Sequence, residues 1–227
     1  MERNSRMAAS GRRSMARGAV FVWAAWAAAL ALVSVAGCGG GGDDAANDAA
    51  SRHESLRSVI ETLPGALYDP PKPAPALRLA NAGGAPYDLA NERGRVVLLF
   101  FGFTECPDIC PITMKRWAQV RGMLGADTSR VRFVFVSVDP EHDTPASAAA
   151  YAAKYHPSFV GLAGTAAEID QIALAWEVSK GRAHTGQVFV VNKDGLIPWG
   201  YGASATLPEI VRGVKALAAA GRAAAER

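Results

Sequence analysis

The sequence has one long hydrophobic run, only three cysteines, and no sustained excess of basic residues. The single run argues against a protein that crosses a membrane several times. The charge balance argues against a nucleic-acid partner once its distribution is considered. Residues 1–37 carry Arg3, Arg6, Arg12, Arg13 and Arg17 against Glu2, a net of +4, and subtracting this from the whole-chain +3 leaves −1 for the remainder. The basicity belongs to the N-terminus, and no basic face is left for a polyanion. No internal repeat is visible. Half of the 227 residues are hydrophobic, enough for the core of one domain of ordinary size.

The N-terminal arginines precede AVFVWAAWAAALALVSVAG, which carries no charge. Positive, then apolar, then small is the layout of a secretory signal. The stretch closes on Val35-Ala36-Gly37-Cys38. A small-residue run ended by cysteine resembles the lipobox of bacterial lipoproteins, in which Cys38 would become the lipid-bearing first residue. About 19 apolar residues also suffice for an uncleaved membrane helix. Both readings hold the folded part at a membrane, outside the cytoplasm. The expected organisation is a signal or anchor over 1–37, a flexible tether over 38–64 opened by the glycine-rich GGGGDDAANDAASRHES, and a folded domain over 65–222.

Within the domain, a short helical segment is expected near Leu56–Leu63. DPPKPAPA, at 69–76, is too rich in proline for a core element and reads as an extended lead-in. LRLANAGGAPYDLANERGR reads as a hairpin around Gly-Gly. Val96–Phe103 and Val131–Val138 are continuously apolar, as strands buried on both faces are. Pro111 to about Leu124 has helical spacing, with Met114, Trp117, Val120 and Leu124 on one side. Thr144-Pro145 supplies an N-cap and a proline at the first helical position, predicting a helix to about Tyr155. Further helices fit Ala166–Trp176 and Leu207–Ala220, and further strands fit Gln187–Val191 and Leu196–Tyr201. This order predicts an α/β protein, a thioredoxin-like sandwich with a central mixed β-sheet flanked by helices.

The chemistry concentrates in FFGFTECPDICPITM, where the first long strand should give way to a helix. Cys106 and Cys110 lie at this junction, where backbone N–H groups and the helix dipole favour thiolate. Three residues separate them, one more than in thioredoxin-type exchange. The spacing still closes a disulfide, and it also lets both sulfurs face one metal ion. A structural bridge, a redox pair, a peroxide-attacking thiol and a metal site all remain open. Among the histidines, His53 falls in the tether, His156 at a helix end and His142 in the loop DPEHDTP. His184 differs, because it occupies the region where thioredoxins carry the proline that packs across from the cysteine pair, and no proline occurs between Val178 and Val191. Two thiolates and one imidazole suit copper, whereas structural zinc usually takes four protein ligands. Asp139, at the end of the second core strand, would lie on the same rim and could orient an imidazole or tune the metal from behind.

Three stretches, FFGFTECPDICPITM, FVFVSVDPEHDTP and AHTGQVFVVNKDG, together resemble the Sco (SenC) family of copper-handling assembly factors for cytochrome c oxidase. The resemblance covers about residues 65–220. It implies Cys106, Cys110 and His184 as ligands for Cu(I) or Cu(II), with Asp139 as the nearby acid. It also implies a domain on the periplasmic side of a bacterial membrane, the inner one, held by lipid on Cys38 or by an N-terminal helix. The expected function is a copper chaperone, not an enzyme, that delivers copper to the dinuclear centre of oxidase subunit II. Its redox-active cysteine pair gates loading, and a thiol reductant or another copper carrier is a further partner. The alternative is a thiol–disulfide oxidoreductase acting on partner cysteines. One departure is Glu105, where relatives often carry histidine.

Overall fold

The computed structural model describes residue 51 and residues 54–84, 86–181 and 186–220. The signal or anchor over 1–37, Cys38 and His53 lie outside the described residues, and so does His184. The strands are β1 (Ala66–Pro73), β2 (Arg78–Ala80), β3 (Pro86–Asp88), β4 (Val96–Gly102), β5 (Val131–Ser137), β6 (Val160–Leu162), β7 (Val188–Val191) and β8 (Leu196–Tyr201). The helices are α1 (residues 54–61), α2 (Ile109–Leu124), α3 (Pro145–Tyr155), α4 (Ala166–Ala175) and α5 (Leu207–Ala220). No described helix is long and apolar enough to cross a membrane.

Six strands form one sheet in the order β1-β8-β7-β4-β5-β6. β4 runs parallel to β5, and β5 parallel to β6, whereas the β4–β7, β7–β8 and β8–β1 pairs are antiparallel. The sheet is therefore mixed, as expected. Its central strands are apolar on both faces because both faces are covered. Val96, Leu98 and Phe100 of β4 share one core with Phe133, Phe135, α2, α3 and α5. Val97, Leu99 and Phe101 point the other way, into a core with α4 and the β2–β3 hairpin. Each fully buried side chain of this size contributes roughly 1.5–3 kcal/mol of transfer free energy.

Trp117 locks α2 onto the sheet. It is fully buried and meets the Phe133 ring edge-on at a centroid separation of 5.4 Å. Its indole N–H donates to the Tyr201 hydroxyl of β8 at 3.0 Å. The N-terminal end of α2, which carries Cys110, is positioned through this contact.

Three expectations need adjustment. Ile60 and Leu63 are buried in the first core, so the folded body takes in residues that composition assigns to the tether. The proline-rich lead-in is extended, but it also pairs with β8 as an edge strand. An edge tolerates Pro70, Pro71 and Pro73 because half its N–H groups need no strand partner, and the register shifts between Leu67 and Lys72. α2 begins at Ile109, two residues before Pro111, so Cys110 lies inside its first turn.

Candidate metal and thiol centre

β4 ends at Gly102 and α2 starts at Ile109, leaving a short loop that carries Cys106. The loop folds back on itself: the Cys106 amide donates to the Phe103 carbonyl at 3.3 Å, and the Cys110 amide donates to Cys106 Sγ at 3.4 Å. The helix thus directs one of its unpaired N-terminal amides at the first sulfur. Cys106 keeps 8% of its surface exposed and Cys110 none.

Cys110 Sγ sits against the sheet where only glycine fits beneath it. A Cβ on Gly102 would lie 2.6 Å from that sulfur and 3.0 Å from the Phe135 ring. In this dry setting burial pushes the Cys110 thiol well above its ordinary range, and Cys106 and Asp143 add to the effect while a backbone hydrogen bond with Phe103 opposes it. The expectation that the helix terminus would favour thiolate is overturned at Cys110, because the loss of water outweighs the dipole. A metal ion replacing the proton removes that penalty, since the thiolate is then compensated.

Asp139 is 15% exposed in its side chain, and both its oxygens face His142 Nδ1, at 2.9 and 3.0 Å. That hydrogen bond and the carboxylate charge raise the imidazole's pKa. His142 is therefore a partner of Asp139 at the surface. Another acid, passed over in the sequence, reaches the cysteine loop. Asp143 is 5% exposed and accepts from the Thr104 amide at 2.9 Å. It also accepts from the hydroxyls of Thr104 and Ser137, both at 2.5 Å. Its place directly before the Thr144 cap puts it beside a helix start, but DPEHD offers several acids there and spacing alone does not single it out.

His184 lies outside the described residues, and among the described residues no three Cys, His, Asp or Glu side chains converge as a metal site. The neighbouring chain does reach the centre. Gly186 has φ +70°, and a Cβ there would come within 2.8 Å of Ile109, the residue before Cys110. A pocket of about 90 Å³ opens beside the helix start, lined among others by Ile109, Ile112, Gly186 and Tyr201.

The SCO1/SenC family model matches residues 69–219. The mitochondrial SCO2 homologue of Bos taurus is 39% identical over 131 residues, covering 52% of this chain and 49% of that protein. The chain spans about half the length of this relative. The solution structures of the apo Sco1 protein of Thermus thermophilus match at 35% identity with a TM-score of 0.62, covering 69% of this chain and 97% of that one. The structure of Bradyrhizobium japonicum ScoI with copper bound matches at 28% identity with a TM-score of 0.57, covering 63% and 98%. These likenesses include the thioredoxin-like fold.

Proposed function

The chain belongs to the SCO1/SenC family, and from that premise we propose that it is a membrane-tethered copper chaperone on the periplasmic side of a bacterial inner membrane. It holds copper through Cys106, Cys110 and His184 and delivers it to the dinuclear copper centre of cytochrome c oxidase subunit II. Lipid on Cys38, or an uncleaved N-terminal helix, keeps it at the membrane. The observation that carries the reading is the meeting of two buried cysteines where the loop enters α2, with a Cys110 amide to Cys106 Sγ contact of 3.4 Å. Two soft thiolates suit Cu(I), and an imidazole extends the set toward Cu(II). The contact of Gly186 with Ile109 supports His184 as third ligand, because it brings the chain two residues beyond that histidine to the start of α2. The copper-bound Bradyrhizobium relative supports the cargo.

Redox state gates loading. Oxidation joins the two sulfurs and releases two protons and two electrons, and the resulting disulfide offers no thiolate to copper. A thiol reductant, or a copper carrier that meets the reduced form, therefore precedes delivery.

The test is titration of the reduced full-length chain with Cu(I) against a competing chelator. One copper per chain is expected, lost in Cys106→Ser and in Cys110→Ser. Tight stoichiometric binding by the double serine variant would sink the site. A second reading, thiol–disulfide exchange with partner cysteines, is favoured by the unequal exposure of the pair, which leaves Cys106 as the attacking sulfur over a hidden Cys110. His184→Ala separates the two, since it should weaken copper retention, Cu(II) most, and leave disulfide exchange intact.

A further inference from the structure

We propose that Asp143 is the positioning residue of the copper centre: a buried carboxylate that ties the thiol loop to the end of β5 and tilts the site's preference from Cu(I) toward Cu(II). The inference rests on the copper reading above.

The geometry is closed on every side. Asp143 and Ser137 are the buried polar and charged residues among those described, and they are hydrogen-bonded to each other. Asp143 Oδ2 accepts from the Thr104 amide and from Ser137 Oγ, and Oδ1 accepts from Thr104 Oγ1. Thr104 stands two residues before Cys106, and Ser137 is the last residue of β5. The Asp143 amide donates to the Asp139 carbonyl at 2.9 Å, and the next residue, Thr144, caps α3. One carboxylate thus joins the cysteine loop, the second core strand and the head of a helix.

Its charge is the second part of the argument. The three hydrogen bonds to its oxygens come from neutral donors, an amide and two hydroxyls, which satisfy the carboxylate without supplying an opposite charge. Burying a carboxylate among neutral donors costs folding free energy, and such departures gather where function requires them. The nearest consequence is on the cysteine loop, since Thr104, which donates two of these hydrogen bonds, stands two residues before Cys106. Two thiolates, a neutral imidazole and Cu(I) sum to −1, whereas the same ligands around Cu(II) sum to zero. A neighbouring negative charge repels the first state and leaves the second nearly unaffected. Neutralising Asp143 therefore raises the midpoint potential of bound copper.

The experiment is a redox titration of the copper-loaded full-length chain, followed by the thiolate-to-Cu(II) charge-transfer absorption. Asp143→Asn keeps the shape and removes the charge. Its Cu(II):Cu(I) affinity ratio should fall at least tenfold, a rise of at least 59 mV for one electron. A ratio within twofold of the unmodified chain overturns the proposal and leaves Asp143 a purely structural tie. Ser137→Ala keeps the charge but withdraws one donor, so its midpoint should move down, opposite in sign. That arm decides the matter if Asp143→Asn does not fold; a midpoint unmoved or raised in Ser137→Ala overturns the proposal. Failure of the unmodified chain to take up copper would instead sink the function proposed above, whereas normal uptake with unmoved midpoints sinks only this inference.

Discussion

Cys110 carries two opposed influences, the amides of a helix start and complete burial. Burial wins, and the thiol is held protonated above its ordinary range. The sign of the resulting pH dependence follows from the folded pKa exceeding the unfolded one. The protonated form's stability is fully present below the unfolded value of about 8.5 and is lost as pH rises beyond it, because the unfolded chain gives up the proton first. The reduced chain should therefore lose stability between about pH 8.5 and 9.5 at a slope approaching about 1.4 kcal/mol per pH unit. Chemical denaturation of the unmodified chain and Cys110→Ser across that range measures it. Equal slopes for the two would show that Cys110 does not hold its proton in the fold. Copper competes with the same proton, so alkaline pH should also tighten copper binding.

At the scale of elements, the α3 start is the clearest case of local sequence setting structure. Thr144 Oγ1 accepts from the Ser147 amide at 3.1 Å, and Ser147 Oγ accepts from the Thr144 amide at 2.8 Å. Thr144→Ala should cost about 1 kcal/mol, read as a lower denaturation midpoint at unchanged slope. An unchanged midpoint would mean that the proline at the first helical position fixes the end alone. Elements with this much local punctuation, or with a long apolar run such as β4, are legible in the amino-acid sequence. β6 is not, because three residues, Val160–Leu162, are too short to show a period. β1 is legible only as extended chain, because its prolines argue against a central strand and say nothing against an edge. In the centre itself the cysteines stand out by spacing. Asp143 does not, since DPEHD offers several acids and sequence does not say which one turns inward. Packing decides it: Asp139 turns to His142 at the surface, and Asp143 turns to Thr104 and Ser137.

For the whole molecule, the sheet separates two cores, and both cysteines belong to the one that also holds Trp117, Phe135 and Tyr201. A ligand gripped there couples to global stability, because opening the cysteine loop exposes a face on which α2 and α5 also pack. Copper that binds the folded reduced chain and not the unfolded one should stabilise it by about 2.7 kcal/mol at a free concentration one hundred times the dissociation constant. For a chain of this size that raises the thermal midpoint by roughly 5–10 °C. Oxidation to the disulfide abolishes the response, since the sulfurs then have no thiolate to offer. Differential scanning calorimetry of the full-length chain, reduced and oxidised, each with and without Cu(I), provides the comparison. A copper-dependent rise of equal size in the oxidised chain would place the metal elsewhere and disconnect loading from the thiols. A rise confined to the reduced chain ties the redox state of Cys106 and Cys110 to cargo uptake through the stability of the fold that carries them.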